Sequence, residues 1–474
     1  MSKFIKKLAG FALIVILAFS LPYATVLGRD LTLDSAVSIA IANNRDIKIA
    51  KLEIDRANQA ILEAYGYAYP SLDLTGQFTH FIEKPQMPFP DFNGMLNNAV
   101  YKVLFDESII PTDQGKYLPM ETKLQAFSLA NNYSATVQLT QVLFNYSVIR
   151  GISSSAIYRD LAEEQLNGKI ASTVLNTQKT FYGVLLSQEV LNITRQSLEN
   201  AMRNLANVQA LRAQGMVSEF DALRAEVQVE NIRPMVLQME SNLETIKNNF
   251  KLLMGIPQNE DITLIGEIEY NPSDLKSEQE YIDIALQNNF DLNALKIKRE
   301  FDNAMIDLER ANYYPSLAFF GNYSFMGAAD DLNFMNYRQS VVGLNLSINL
   351  FNGLRKGRRV EQQTINVMKT DESIQQYEDF IAAQIKSKLI EIRKIQTNIE
   401  AQNRNVQLAQ RAYEISEVRY REGTGNQLEV ENADLALRQA RTNYMQSVYQ
   451  FITLIKDLDN LTGTIDQQYL NINE

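Results

Sequence analysis

The 474-residue chain has no cysteine, no tryptophan and a single histidine, His80. Without cysteine there is no disulfide framework, no thiolate nucleophile and no Cys-bearing zinc or iron–sulfur site. One histidine excludes a His-rich metal cage and leaves most His-based catalysis without its base. No Ser-His pair, Gly-rich phosphate loop or His metal pair is present, so the residues mark neither an enzyme nor a cofactor site. Basic charge is also short. Against 56 Asp and Glu stand 45 Lys and Arg, a net charge of −11, which argues against nucleic acid as a partner. Beyond the N-terminus no stretch approaches the ~20 uninterrupted apolar residues of a membrane-spanning helix.

The N-terminus reads as a targeting segment. Lys3, Lys6 and Lys7 precede an apolar run from Leu8 to Leu21, which Pro22 ends. A charged start followed by an apolar run too short to span a bilayer is the pattern of a signal peptide. Residues 1–28 are expected to be removed, with cleavage after Ala24 or Gly28, leaving a net charge of −14. No cysteine near the cleavage point offers a lipid attachment site. The remaining chain, 46% hydrophobic overall, can bury a large core.

The chain is internally duplicated. Ala40, Asn43, Asn44 and Asp46 recur 245 residues later as Ala285, Asn288, Asn289 and Asp291. Tyr69-Pro70-Ser71-Leu72 recurs at the same offset as Tyr314-Pro315-Ser316-Leu317. Leu139, Leu143, Phe144 and Asn145 recur as Leu346, Leu350, Phe351 and Asn352, and Gly215 and Gly255 as Gly423 and Gly463, at offsets of 207 and 208. The expected layout is a first repeat over 29–255, a linker over 256–276, a second repeat over 277–463 and a tail over 464–474. Each repeat starts with a helix, about 34–68 and 277–313. Pro70 and Pro315 end these helices, because proline excludes the helical state from the residue before it. A strand pair follows, over 71–144 and 316–351, and then a long helix pair, over 147–255 and 354–463.

The long helices carry apolar residues every seven positions, as in Val184, Leu191, Leu198 and Leu205, or Ile385, Ile392, Ile399 and Val406. A strict seven-residue repeat implies sustained left-handed helix pairing; on the helices alone, a coiled-coil rod fits as well. Pro234 lies inside a return helix and is expected to kink it. The strand runs alternate apolar and polar residues over nine or ten positions, as in Leu72, Leu74 and Phe78 against Asp73, Thr75 and Gln77. That is the length and pattern of a tilted membrane strand, although a soluble half-buried sheet alternates too. Tyr65, Tyr67, Tyr69, Phe144, Tyr146, Tyr313, Tyr314 and Phe351 cluster at one end of the runs as a candidate aromatic girdle. Four strands cannot span a bilayer with open edges, so the chain must oligomerise. Two copies give eight strands with a packed interior and three give twelve with a wet one, and the polar inner face favours three or more.

With the duplicated Leu-Asp-Ser-Ala-Val-x-x-Ala-x-x-Asn-Asn start (33–44), the Tyr-Pro-Ser-Leu junctions and the two Gly turns, the sequence resembles the TolC-like outer-membrane efflux proteins over nearly its whole length. The resemblance implies a mainly α fold with a membrane β-barrel. A homotrimer would form a twelve-stranded barrel in the outer membrane, continued by a long twelve-helix α-barrel in the periplasm of a Gram-negative bacterium. It implies the exit duct of a tripartite efflux or type I secretion system. The partners would be outer-membrane lipid, a periplasmic adaptor and an inner-membrane transporter of RND, ABC or MFS type. Gly215, Met216, Val217 and Ser218, with Gly423, Thr424, Gly425 and Asn426, would form the adaptor-docking tips. Ser218 and Asn426 are suitable N-caps, with Asp221 and Glu429 three residues on, so both acids have a capping role open to them. The resemblance adds a gate. Acidic rings fall at Glu429 and at position 432, here the neutral Asn432. Tyr420 and Asp221 match two members of the entrance lock, while Gly425 stands where its arginine is expected. Residues 80–132, rich in proline and about 38 residues longer than their counterpart, are expected to form a large cell-surface loop with His80 solvated at its base. A trimeric coiled-coil surface fibre or adhesin stalk is the alternative.

Overall fold

A computed structural model describes residues 29–272 and 274–464. The expected signal peptide, 1–28, and nearly all of the C-terminal tail lie outside the described residues. In chain order the elements are β1 (Arg29–Leu31), α1 (Leu33–Asn43), α2 (Arg45–Gly66), β2 (Ser71–His80), β3 (Gln86–Pro90), α3 (Phe92–Asp106), β4 (Thr122–Ala126) and β5 (Asn131–Asn145). The long helix α4 (Tyr146–Ala213), its return α5 (Glu219–Met254) and the short β6 (Ile262–Leu264) follow. The second half supplies α6 (Glu278–Asn288), α7 (Phe290–Ala311), β7 (Ser316–Ala329), β8 (Met335–Ser347), α8 (Arg355–Arg421) and α9 (Gln427–Leu461). Two compact units result. One holds 29–58, 157–302 and 365–464; the other holds 59–156 and 303–364.

The helices α4 and α8, of 68 and 67 residues and about 100 Å long at 1.5 Å per residue, run mostly through the helical unit. The heptad columns face inward. Val184, Leu191, Leu243 and Phe250 bury in one cluster. Their counterparts 208 residues on, Ile392, Ile399, Phe451 and Leu458, bury in another. Fully burying each such side chain contributes about 1.5–3 kcal/mol. Pro234 sits within α5 without ending it. Asp457 of α9 ties two long helices by accepting from Lys179 of α4 at 2.7 Å and Lys388 of α8 at 3.0 Å. Within the linker, β6 pairs in parallel with β1.

The single opening helix expected in each repeat is two helices, broken at Asn44 and at Asn289. At each break the Asn side chain replaces the backbone continuity it interrupts. Asn44 Oδ1 accepts from the N–H of Asp46 at 2.8 Å, capping α2, while its Nδ2 donates to the Leu253 carbonyl at the end of α5 at 2.8 Å. Asn289 repeats both contacts, to the Leu292 N–H and the Leu461 carbonyl, each at 2.9 Å. Gly255 and Gly463 close the return helices at φ 68° and 64°. A Cβ on Gly255 would lie 2.5 Å from the Asn43 carbonyl oxygen, and one on Gly463 would strike the Asn288 carbonyl. The recurring Asn-Asn and Gly are therefore two halves of one joint, made twice.

In the second unit, α2 and α7 end in tight turns with i to i−3 bonds, such as Tyr69 N–H to Gly66 and Tyr314 N–H to Ala311. Pro70 and Pro315 follow and the chain extends. The strands form one antiparallel sheet in the order β2-β5-β7-β8. Register sets most apolar residues of the four strands on one face, while Phe320, Met326 and Val341 fall on the other. Leu74 pairs with Val137, Val137 with Tyr323, and Phe319 with Leu344. The other face carries Asp73, Thr75 and Gln77 beside Gln138, Thr136 and Ser134, and Thr136 Oγ1 meets Ser324 Oγ at 2.9 Å. The apolar face lies bare, with Leu74 and Val342 both 75% exposed. Strands β2 and β8 have no pairing on their outer sides among the described residues. Beside the first residues of β7, the Tyr146 and Tyr314 rings meet at a tilt, their centroids 4.6 Å apart.

The 80–132 segment is folded rather than a loop. Strands β3 and β4 pair, α3 spans 15 residues, and the Asn98 side chain bonds both backbone groups of Leu118, at 2.7 and 2.8 Å. Pro88 and Pro90 lie on β3, whose outer edge is unpaired among the described residues, while Pro85, Pro111 and Pro119 lie in connecting segments, where a missing N–H is tolerated. His80 is not simply solvated. It is the last residue of β2, and its Nδ1 lies 2.7 Å from Asn131 Oδ1.

Replacing Asn44 or Asn289 with Ala is expected to cost about 2–3 kcal/mol, since each removes buried bonds at both ends of a joint. Gly255→Ala is expected to cost more, because positive φ and the carbonyl clash add. Denaturation midpoints of the single and paired variants measure this. Unchanged midpoints would show that the joints carry no load.

Candidate functional site at the helix hairpin tips

Both hairpins reverse in five residues. At the first, Gly215 takes φ 76° and donates to the Arg212 carbonyl, and Met216 N–H reaches back to Leu211. At the second, Gly423 takes φ 72°, while Thr424 and Gly425 both donate to the Arg419 carbonyl, at 2.9 and 3.0 Å. These are the bonds that close a helix with a left-handed glycine. Nothing lies within 4 Å of a Cβ placed on Gly215 or Gly423, so their φ and not crowding calls for glycine. Gly425 is the reverse case. A Cβ there would come within 3.1 Å of Arg419 Cβ and Tyr420 N. Met216 and Phe220 project nearly 70% exposed at the first tip.

The acids sit where capping puts them. Asp221 Oδ2 accepts from the Ser218 hydroxyl at 2.6 Å and its N–H at 3.3 Å, while Ser218 Oγ caps the Asp221 N–H, a reciprocal box. At the second tip Asn426 Oδ1 accepts from the Glu429 N–H at 3.0 Å and its Nδ2 donates to Glu429 Oε1 at 3.2 Å. Glu429 also faces Arg419, 3.3 Å away. Asn432 is exposed one turn further along α9. A guanidinium therefore stands at this tip after all, supplied by Arg419 and not by position 425. Arg419 was not singled out from the sequence, because its counterpart in the first repeat is Leu211 and matching the repeats passes over it.

Tyr420 packs between the hairpins. It touches the cluster of Val208, Ala222 and Ala225 and the cluster of Tyr413, Val430 and Leu437. Its hydroxyl is buried and has no hydrogen-bond partner among the described residues. Burial, and then the nearby Asp221 carboxylate, push the phenol above the ordinary tyrosine range. Tyr420 and Asp221 also line one cleft of about 360 Å³ between the two turns, with Val217 and Gly425. Tyr420 thus occupies a heptad position as packing and adjoins an acid without bonding to it.

Polar ties missed in the sequence hold the hairpins together above the tips. Arg224 of α5 pairs with Glu431 of α9 at 3.2 Å. Buried Asp434 accepts from Ser197 and, at 3.2 Å, from Asn200 of α4. These residues are ordinary in isolation; only the pairing of helices from different repeats brings them into contact. No cluster of metal-ligating residues is present among the described residues.

Comparison with known proteins follows the same outline. Residues 118–256 and 281–464 match the family model described as outer membrane efflux protein. The outer membrane protein TolC of Salmonella enteritidis is 22% identical over 350 residues, covering 72% of this chain and 71% of that protein. The cobalt-zinc-cadmium resistance protein CzcC of Cupriavidus metallidurans is 20% identical over 322 residues, 66% of this chain and 72% of that protein. Among solved structures, the CmeC outer membrane channel of Campylobacter jejuni superposes with a TM-score of 0.67 at 16% identity, covering 91% of this chain and 85% of that one. VceC of Vibrio cholerae superposes at 0.66 and 14% identity, covering 91% and 96%.

Tyr420→Phe tests the packing reading. Removing a buried hydroxyl without a partner is expected to leave stability unchanged or raise it by about 1 kcal/mol. A lower melting temperature together with a leakier channel would make the hydroxyl part of a lock.

Proposed function

The chain belongs to the outer membrane efflux protein family, and we propose that it is the exit duct of a tripartite exporter. In this reading it passively conducts substrate that an inner-membrane transporter and a periplasmic adaptor deliver. Three copies close the four-stranded sheets into a twelve-stranded barrel in the outer membrane, and their long helix pairs form a twelve-helix tunnel in the periplasm. The sheet carries this reading. It has a bare apolar face for lipid, a polar opposite face for a wet lumen, and two edges whose backbone groups must pair with further copies if hydrocarbon surrounds them. Eight strands would leave an interior filled by side chains, whereas twelve leave a passage. A surface fibre has no use for such a face.

The tips are the docking surface for the adaptor, and the entrance narrows at Glu429. In a threefold assembly three Glu429 carboxylates face one axis, with Arg419 behind each as a partial counter-charge. Such a ring attracts cations. No helix among the described residues is long and apolar enough to cross a membrane, so in this reading the sheet alone meets lipid. The sequence carries no Gly-rich phosphate loop, and in this reading the driving force comes from the partners.

Export by a deletion strain tests the reading. Sensitivity to exported compounds should be reversed by the wild-type chain but not by Gly423→Val, which strains a positive-φ turn by about 1–2 kcal/mol while leaving trimers heat-stable. Normal export by that variant would remove the tip from docking. For the entrance, Glu429→Gln should lower the cation-to-anion permeability ratio of the reconstituted channel. Unchanged selectivity would take Glu429 out of the constriction.

A further inference from the structure

The folded insertion between β2 and β5 has an outer surface that soluble protein rarely tolerates. Its helix α3 buries Gly94 and Phe105 against the rest of the insertion. The Phe105 ring meets Tyr117 edge-on at 5.8 Å, and Asn97 donates to the Lys116 carbonyl at 3.0 Å. The opposite side of α3 presents Phe92, Leu96, Ala99 and Val103, all exposed, Leu96 by 55% and Val103 by 59%. Their spacing is four, three, four. That is the spacing of a seam that packs against another helix; one facing water has no need of it.

Three observations identify the other helix. The insertion leaves from the end of β2, an edge strand whose outer hydrogen bonds come from the next copy in the proposed barrel, so each insertion stands at a junction between copies. Its base is pinned to its own sheet. Lys84 pairs with Asp330 in the β7–β8 turn, the Ala130 N–H donates to the same carboxylate at 2.9 Å, and Asn131 Nδ2 reaches the Asp331 carbonyl at 3.1 Å. The turn joining β7 and β8 is only five residues long, so the insertion is the one large structure at that end of the described sheet. Charge speaks against an anionic lipid surface as the occupant, since residues 81–130 hold four lysines against six carboxylates.

We propose that the α3 helices of three copies of this chain pack on one another through the Phe92–Leu96–Ala99–Val103 seam, forming a helical cap across the outer mouth of the duct. The proposal rests on the threefold reading above. The cap narrows the exit with side chains and protects the apolar seam from the medium. Because a bundle of three parallel seams brings the same residue from each copy to the axis, every seam position meets its own equivalents.

The absence of cysteine makes the test direct. Leu96→Cys and Val103→Cys are introduced singly into the full chain, and oxidant is added to outer membranes. The heat-stable trimer and single-channel conductance are measured alongside. With the cap in place, up to two of every three chains join into disulfide-linked dimers, and Lys102→Cys, on the flank of the same helix, does not. Trimers that conduct normally but give no cross-link at either seam position overturn the cap and leave the duct standing. Free reaction of the seam cysteine with a membrane-impermeant maleimide on whole cells overturns the cap as well. So does quenching of a fluorophore on that cysteine by lipid-borne quencher, which would give the seam to lipid. A chain that forms no trimer at all overturns both readings.

Discussion

An unpaired backbone amide has nowhere to go in hydrocarbon, and this constraint governs the chain more than any side chain does. Four strands with a coherent apolar face would be stranded in a bilayer by the open sides of β2 and β8, at a cost of several kcal/mol for each group left unsatisfied. In the proposed reading the sheet is therefore one sector of something larger. Its polar face, with Asp73, Thr75 and Gln77 beside Gln138, then requires an interior that stays wet. The proposed closure of several identical sectors into one ring would meet both requirements.

The helical unit answers a different demand, that of holding helices of nearly seventy residues in register. Heptad packing does so along the length. At the far end from the tips, the work falls to the Asn44 and Asn289 joints, each of which caps one helix while bonding the end of another. Near the tips it falls to buried Asp434 and to the Arg224–Glu431 pair. Polar ties of this kind add little net stability but penalise any sliding that would leave a buried charge alone. They favour one register over its neighbours among repeated, self-similar seams.

Much of this was legible in the sequence, because both periodicities are strong and are stated twice. The helix lengths, the strand pairs and the Gly turns follow from heptads, alternation and repetition at constant offset. The break at Asn44 was not legible, since Asn also occurs inside helices and the bond that completes the joint reaches a carbonyl 209 residues away. The order inside residues 81–130 was hidden by prolines that read as loop punctuation, although Pro88 and Pro90 sit on β3. At the tips, the capping acids were readable from spacing. Arg419 was not, because the first repeat has Leu211 at that position and makes its cross-turn pair from Arg212 to Glu219 instead. That the Tyr420 hydroxyl has no partner among the described residues could not be read either, as a heptad tyrosine looks the same whether or not it finds an acceptor.

The number of chains that make one pore is the decisive quantity. Native mass spectrometry of the detergent-extracted protein, with the same preparation reconstituted in planar lipid films, counts the copies and reads their conductance together. Three chains per particle and steady ionic conductance are the expected result. A monomer, or an assembly that leaves lipid films insulating, would contradict it.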